Sequence, residues 1–187
     1  SAQNQVEQII VIDNASTDTS LAEIEQRFSN EEKQQLTIKR LDRNIGFAAA
    51  CNNGIRESRF PFILFLNPDC TLSPNVIERL LQALQSDRQI GMVGGRLLNA
   101  DGSEQGGSRR AIPTPWRALV RASGLYHLAR FWPSLFFDFH LHKQALPQNP
   151  IEVEAISGAL MLVRREAIDE VGNWDEGYFL HCEDLDW

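Results

Sequence analysis

"FILFLNPDC" runs from Phe62 to Cys70, and in it five apolar residues lead straight into an amide, a proline and a carboxylate. An apolar run without polar alternation reads as a strand buried on both faces, the pattern of a central parallel strand covered by helices. Pro68 cannot donate to a sheet ladder and disfavours helix at Asn67, so the strand should stop there and leave Asp69 just past its carboxyl end. In open α/β sheets that edge is where ligands bind. Asn-Pro-Asp is also ordinary surface-turn chemistry, and the stretch alone supports either reading.

Working outward, "VEQIIVID" (6–13) is a second buried-strand candidate ending in a carboxylate, Asp13, and the polar cluster "NASTDTS" after it can cap a helix. "SLAEIEQRF" places Leu21, Ile24 and Phe28 on one helical face, and "LTIKRL" alternates as a strand does. "NIGFAAACNNGIRES" reads as a glycine-opened, alanine-rich helix able to pack close to a sheet or a ligand. Ser73 and Pro74 occupy N-cap and first-turn positions for a helix that turns Val76, Leu80, Leu81 and Leu84 inward, and "IGMVGGRLL" follows as a strand. Strand and helix in turn predict a doubly wound α/β architecture with mostly parallel strands.

The bulk properties bound the function. A chain of 187 residues, 43% hydrophobic and 23% charged, holds one domain with a proper core. A net charge of -7 argues against a nucleic-acid binder, which needs a concentrated basic face. Cys51, Cys70 and Cys182 are odd in number and far apart, which fits neither a disulfide framework nor a zinc site and points to a reducing compartment. No apolar run reaches membrane-spanning length, and the polar start "SAQNQVEQ" is no signal peptide.

From Ser103 to Pro150 the composition changes. Prolines 113, 115, 133, 147 and 150 interrupt a stretch containing Trp116, Tyr126, Phe131, Trp132, Phe136, Phe137 and Phe139, and Arg109, Arg110, Arg117, Arg121, Arg130 and Lys143 face almost no acid except Asp138. This basic, aromatic insert suits an anionic acceptor or a membrane surface through residues 109–143, or else a loop cover whose aromatics fill a local core. Beyond it, "ALMLV" is a buried strand and "REAIDEVG" a short helix closed by Gly172. The end gathers Asp175, Glu176, Glu183, Asp184 and Asp186, a set that reads as a general base, a metal site or a solvated acidic terminus.

Asp13, Asp69 and the Glu183-Asp184 pair would each lie near the carboxyl edge of one sheet, which stability alone does not explain. No GxGxxG or Walker phosphate loop is present, so a bound nucleotide would be held by carboxylates, scattered amides and a divalent ion bridging Asp69 to a diphosphate.

Taken in order, "VIDNASTD", "NIGFAAACNNGI", "FLNPDC" and "SGALMLVRREAIDEVGNWDEGYFLHCEDLDW" resemble the successive blocks of the family 2, GT-A glycosyltransferases, in particular their rhamnosyltransferase-like branch. The resemblance implies a GT-A fold, with a nucleotide-sugar-binding part over 1–102, the insert over 103–150 and an acceptor and catalytic-base part over 151–187. It implies an inverting transfer from a dTDP- or UDP-sugar, rhamnose among the candidates, to a saccharide or lipid-linked acceptor, with Mg²⁺ or Mn²⁺ as cofactor. The setting would be the cytoplasm, at the inner face of the membrane.

Residue by residue, Asp13 matches the acid that contacts the nucleoside base, with Asn14 beside it. Asn44, Gly46 and Asn52 match the block lining the nucleoside pocket. Asn67-Pro68-Asp69 stands in the place of the DxD motif, with Asp69 as the metal-binding carboxylate. Asp184 matches the general base and Glu183 would help position it, while Ser157, Gly158 and Ala159 resemble the small-residue block near the acceptor.

The chain departs from the family pattern in two places. Asn67 replaces the first acid of DxD and removes one charge from the metal site. The family's usual opening strand does not precede Ser1, and Trp187 directly follows the base motif, so the expectation is an internal piece of a longer enzyme. Two other classes compete: a nucleotidyltransferase, which also sets acids around a metal, and a non-catalytic binding or scaffold domain using the insert.

Overall fold

The computed structural model describes residues 6–28, 32–112, 114–132, 136, 147 and 149–187. It has two parts, each built on a small sheet. In the first, β1 (Ile9–Asp13) pairs in parallel with β2 (Leu36–Arg40), from Ile9 opposite Leu36 to Asp13 opposite Arg40. The crossover between them carries α1 (Ser20–Arg27), whose apolar face is only half-buried at Leu21 and Ile24. The polar run before α1 turns on itself rather than capping it: Asp13 Oδ1 accepts from Ser16 N at 2.9 Å and Asp18 Oδ1 from Ser20 N at 3.0 Å.

α2 (Phe47–Glu57) packs on β1. This helix also roofs the second sheet, ordered β3 (Phe62–Leu66), β7 (Leu160–Arg164), β4 (Met92–Gly94). Side chains alternate between its faces with the period of two that a strand imposes. Phe65, Met161 and Val163 meet Ala48 and Ile55 of α2, and Ile168 of α5 (Arg165–Val171), on one side. Leu160 and Leu162 meet Leu80 and Leu84 of α3 (Val76–Ser86) on the other. Helices therefore cover both faces, as the sequence leads one to expect.

Strand direction differs from the sequence reading. β7 runs antiparallel to both β3 and β4, so among the described ladders only β1–β2 is parallel. The strand buried on both faces is β7, flanked by a partner on each edge, whereas in "FILFL" only Phe65 is fully buried and Leu66 is exposed. An apolar run reports burial but carries no direction, which is why the two strands could not be ranked from sequence. α3 also starts later than Ser73-Pro74 suggests: Asn75, at φ 63°, turns the chain through the left-handed region first.

The Arg164-Arg165 pair ties the layers together. Arg164 Nε donates to Ile90 O at 2.8 Å, and Arg165 donates to Phe60 O at 2.9 Å and Ser58 O at 2.7 Å. These arginines satisfy loop carbonyls.

The segment set apart by composition is joined to the strand that comes after it. Its β5 (Arg109–Arg110) pairs with β6 (Ala155–Ile156), and Arg117 bridges to Glu154 at 2.7 Å. α4 (Pro115–Ala122) is capped by Thr114 Oγ1, which accepts from Arg117 N at 3.2 Å, and a 3-10 turn over Leu125–Arg130 follows. Val120 is buried and Tyr126 and Phe136 are half-buried, with the Trp116 and Trp132 rings set against Phe136 at centroid distances of 6.4 and 6.5 Å, while Trp116, Leu119, Phe131 and Trp132 are exposed. Pro113, Pro133, Phe137, Asp138, Phe139 and Lys143 lie outside the described residues.

Candidate functional site

The end of β1 and the start of α2 form one hydrogen-bonded unit. Asn14 Nδ2 donates to Asn44 Oδ1 at 2.9 Å and to Gly46 O at 3.1 Å, while Asn14 Oδ1 accepts from Ile45 N at 2.8 Å. Asn44 Oδ1 accepts in addition from Gly46 N at 2.9 Å. Asp13, buried at the tip of β1, follows the strand into the turn that sets Ala15 at φ 65°. Gly46, at φ 90° and ψ 167°, occupies a region essentially reserved for glycine. Its missing side chain leaves room for Phe179, whose carbonyl accepts from Phe47 N at 2.9 Å. Asp13, Asn14, Asn44 and Gly46 are thus brought together, with Phe179 added from the far end of the chain.

Asn52 has a different place. It is 2% exposed, and its amide is taken up inside the chain: Nδ2 donates to Trp174 O and to Glu176 Oε1, both at 2.9 Å, and Oδ1 accepts from Trp174 N at 3.1 Å. A side chain so enclosed holds the 174–176 loop through both ends of its amide. Trp174 meets Phe47 and Phe65 edge-on and stacks on Trp187 with centroids 4.5 Å apart.

At the end of β3, Asn67 N donates to Ala159 O at 2.9 Å and Cys70 N to Asn67 O at 3.1 Å, so the turn containing Asp69 is pinned beside the 157–159 segment. Asp69 itself is exposed, and its Oδ1 faces the Cys70 thiol at 3.9 Å. Burial, reinforced by the Asp69 charge, pushes the Cys70 thiol pKa up. Among the described residues no three His, Cys, Asp or Glu cluster as a metal cage. One outward carboxylate fits a divalent ion that takes its remaining ligands from water and a substrate diphosphate.

α6 (Glu183–Asp186) carries the last acids, entered through His181 and Cys182 at φ 72° and 70°. Asp184 Oδ2 accepts from Gly158 N at 3.1 Å and forms an ion pair with the Arg110 guanidinium. A Cβ on Gly158 would meet Asp184 Cβ and Trp174 at 3.4 Å each, so this glycine seats the base candidate against the aromatic cluster. Glu183 is buried, and together with burial itself its charge pushes the Cys51 thiol up to about 12.

Three buried side-chain atoms lack a hydrogen-bond partner among the described residues: Arg110 Nε, Trp174 Nε1 and Glu183 Oε2. All belong to this one cluster. Such atoms cost stability, and their concentration here marks a place where the fold trades it for something else. Trp174 and Phe179 were not singled out from the sequence; Arg110 was visible only as one cation of a basic segment, and Glu176 only as one acid of the terminal set.

The chain matches the family model described as glycosyl transferase family 2 over residues 1–172. It is similar to N-acetylglucosaminyl-diphospho-decaprenol L-rhamnosyltransferases from two strains of Mycobacterium tuberculosis, each 29% identical over 189 residues, 95% of this chain and 58% of the relative. The chain therefore spans little more than half the length of these curated relatives. Among solved structures it resembles GalNAc-T7 with UDP, GalNAc and Mn²⁺, with a TM-score of 0.65 and 18% identity over 98% of this chain and 33% of that one. It also resembles the mannosyltransferase PcManGT from Pyrobaculum calidifontis in complex with GDP-Man and Mn²⁺, with a TM-score of 0.58 and 16% identity over 95% of this chain and 40% of that one. At such identities the likeness is one of fold.

Proposed function

The chain belongs to glycosyl transferase family 2, and from that premise we propose that it moves a sugar, with inversion, from a nucleotide-diphospho-sugar to a hydroxyl of a lipid-linked saccharide. The observation that carries the reading is the seating of Asp184: a carboxylate held beside Gly158, one residue from the Ala159 carbonyl that pins the Asp69 turn. Base and diphosphate-binding candidates thus share one short segment. A nucleotidyltransferase or scaffold reading has no comparable support.

In the proposed reaction Asp184 takes the acceptor hydroxyl proton as the oxygen bonds to the anomeric carbon. The bond to the nucleoside diphosphate breaks on the opposite face, and its electron pair leaves with the diphosphate. Glu183, buried and next to Asp184 in sequence, would help position the base, and Asp13, Asn14, Asn44 and Gly46 would shape the nucleoside end. Asp69 would hold a divalent ion, Mg²⁺ or Mn²⁺, which when bound supplies positive charge to the departing diphosphate.

The donor assignment to a dTDP- or UDP-sugar, rhamnose included, draws its support from the L-rhamnosyltransferase relatives. A decaprenol-linked acceptor in those relatives, together with the exposed Trp116, Phe131 and Trp132, supports contact of the 109–143 segment with the inner membrane surface. Among the described residues no helix is long and apolar enough to cross a membrane.

Thermal unfolding with a panel of nucleotide-sugars, with and without Mn²⁺, tests the reading. The expected result is a metal-dependent rise in Tm with one nucleotide class that Asp69→Ala abolishes. No shift with any nucleoside diphosphate sugar overturns it.

A further inference from the structure

We propose that Arg110 is a positioning residue for the Asp184 base, presenting one carboxylate oxygen to the acceptor by fixing the other. The inference rests on the glycosyltransferase reading and adds to it a group from the aromatic, basic segment.

Asp184 lies in α6 (Glu183–Asp186), and the groups that hold its carboxylate come from outside that helix, from one ladder, β5 with β6. β5 carries Arg110 opposite Ala155 of β6, and the guanidinium donates both to Ile156 O at 3.3 Å and to Asp184 Oδ2. Just past β6, Gly158 N donates to the same oxygen at 3.1 Å. The two donors are thus referenced to one ladder and converge on Oδ2 alone. Oδ1 has no hydrogen-bond partner among the described residues. The Arg110 and Asp184 side chains are 19% and 16% exposed, so the pair is shielded without being sealed.

This asymmetry suits a base. A carboxylate that accepts a proton during bond formation has to offer one lone pair in a fixed direction, and free rotation would spread that direction over a cone. The Arg110 Nη2 that donates to Asp184 also donates to Ile156 O, so the cation is itself tied to the ladder and resists the rotation better than a lysine ammonium, a point charge on a flexible stem. The segment that bears the exposed aromatics is thereby mechanically tied to the reacting carboxylate.

The test compares Arg110→Met, Arg110→Lys, Asp184→Asn and the double variant Arg110→Met/Asp184→Asn in the full-length protein, reading kcat and KM for the nucleotide-sugar separately. Arg110→Met is expected to lower kcat about 10²-fold, the cost of a misplaced catalytic group, and to leave the donor KM within about twofold. Arg110→Lys keeps the charge and stem, and is expected to lose about tenfold in kcat; it carries the measurement if the Met variant does not fold. In the Asp184→Asn background, Arg110→Met should change the residual rate by less than about twofold, because a residue acting through the base has nothing left to position. Unchanged kcat in the single variants, or equal losses in both backgrounds, overturns the proposal while leaving the transferase reading intact. A wild-type protein that binds and transfers no nucleotide-sugar overturns both.

Discussion

Asn52 and Trp174, 122 positions apart, exchange two hydrogen bonds, with the Asn52 amide accepting from Trp174 N at 3.1 Å and donating to Trp174 O at 2.9 Å. The pair closes the second half of the chain over the first. Trp174 then stacks on Trp187, whose indole donates to Gly172 O at 2.9 Å, so the segment bearing Asp184 is held to α2 by one amide and an aromatic stack.

Removing that amide tests its role. Asn52→Ala leaves the Trp174 backbone N–H and C=O in the interior without their partner, and should cost about 2–3 kcal/mol. For a domain of this size that is roughly a 5–10 °C fall in Tm. If Asn52 instead contacted the nucleotide, the same variant would keep its Tm and lose donor affinity, so calorimetry on the free and nucleotide-bound protein separates the two roles.

Gly46 gives a second, geometrically sharper case. A Cβ there would sit 2.7 Å from Phe179 O and 3.0 Å from Phe179 Cα, and the backbone at φ 90° disfavours any side chain. Gly46→Ala should therefore push the 179 loop away, break the Phe47 N to Phe179 O bond and destabilise by about 1–3 kcal/mol. Faster backbone amide exchange at Phe47 reports the broken bond directly, and an unchanged rate would count against the contact.

These two residues show what the sequence could and could not carry. Local signals read correctly: Pro68 ends β3, Gly172 closes α5 at φ 106°, and the glycine before "FAAAC" opens α2. Each depends on the residue's own backbone and needs no knowledge of distant partners. The Asn52–Trp174 bond was not readable, because a buried amide 122 positions from its partner looks no different, in sequence, from one facing a ligand. Arg110 stayed hidden for the same reason, 74 positions from Asp184 in a segment that composition set apart. The antiparallel insertion of β7 between β3 and β4 was equally unreadable, since pairing is decided by which apolar faces meet in space.

Thiol chemistry provides an independent check on the core around Glu183. Burial, with the Glu183 charge behind it, holds the Cys51 pKa near 12, so at pH 8 only about one thiol in 10⁴ is ionised, and the thiolate is the reactive form. Iodoacetamide at pH 8 should modify the exposed Cys182 and spare Cys51 until the protein unfolds, as peptide mass spectrometry would show. Equal rates at the two sites would mean that the core around Cys51 is open to solvent.

Acid should loosen the hairpin over 97–105, which leads into the strand carrying Arg110, through a different carboxylate. Glu104 is bound by Arg109 at 2.7 Å, its side chain only 4% exposed, and hydrogen bonds from that guanidinium hold its carboxyl below the ordinary range. A carboxyl whose folded pKa is depressed stabilises the fold fully above its unfolded value, about 4.3, and that contribution is lost as pH falls through the lower folded value. Stability measured by urea unfolding should therefore drop below about pH 4.3, and Glu104→Gln, which has no proton to gain, should flatten this part of the profile while lowering the plateau above it. Because Glu104 lies outside the group around Asp184, the variant separates acid loosening of the hairpin from protonation of the base. Profiles that run parallel from pH 5 to 2 would show that the Glu104–Arg109 pair contributes nothing to acid sensitivity.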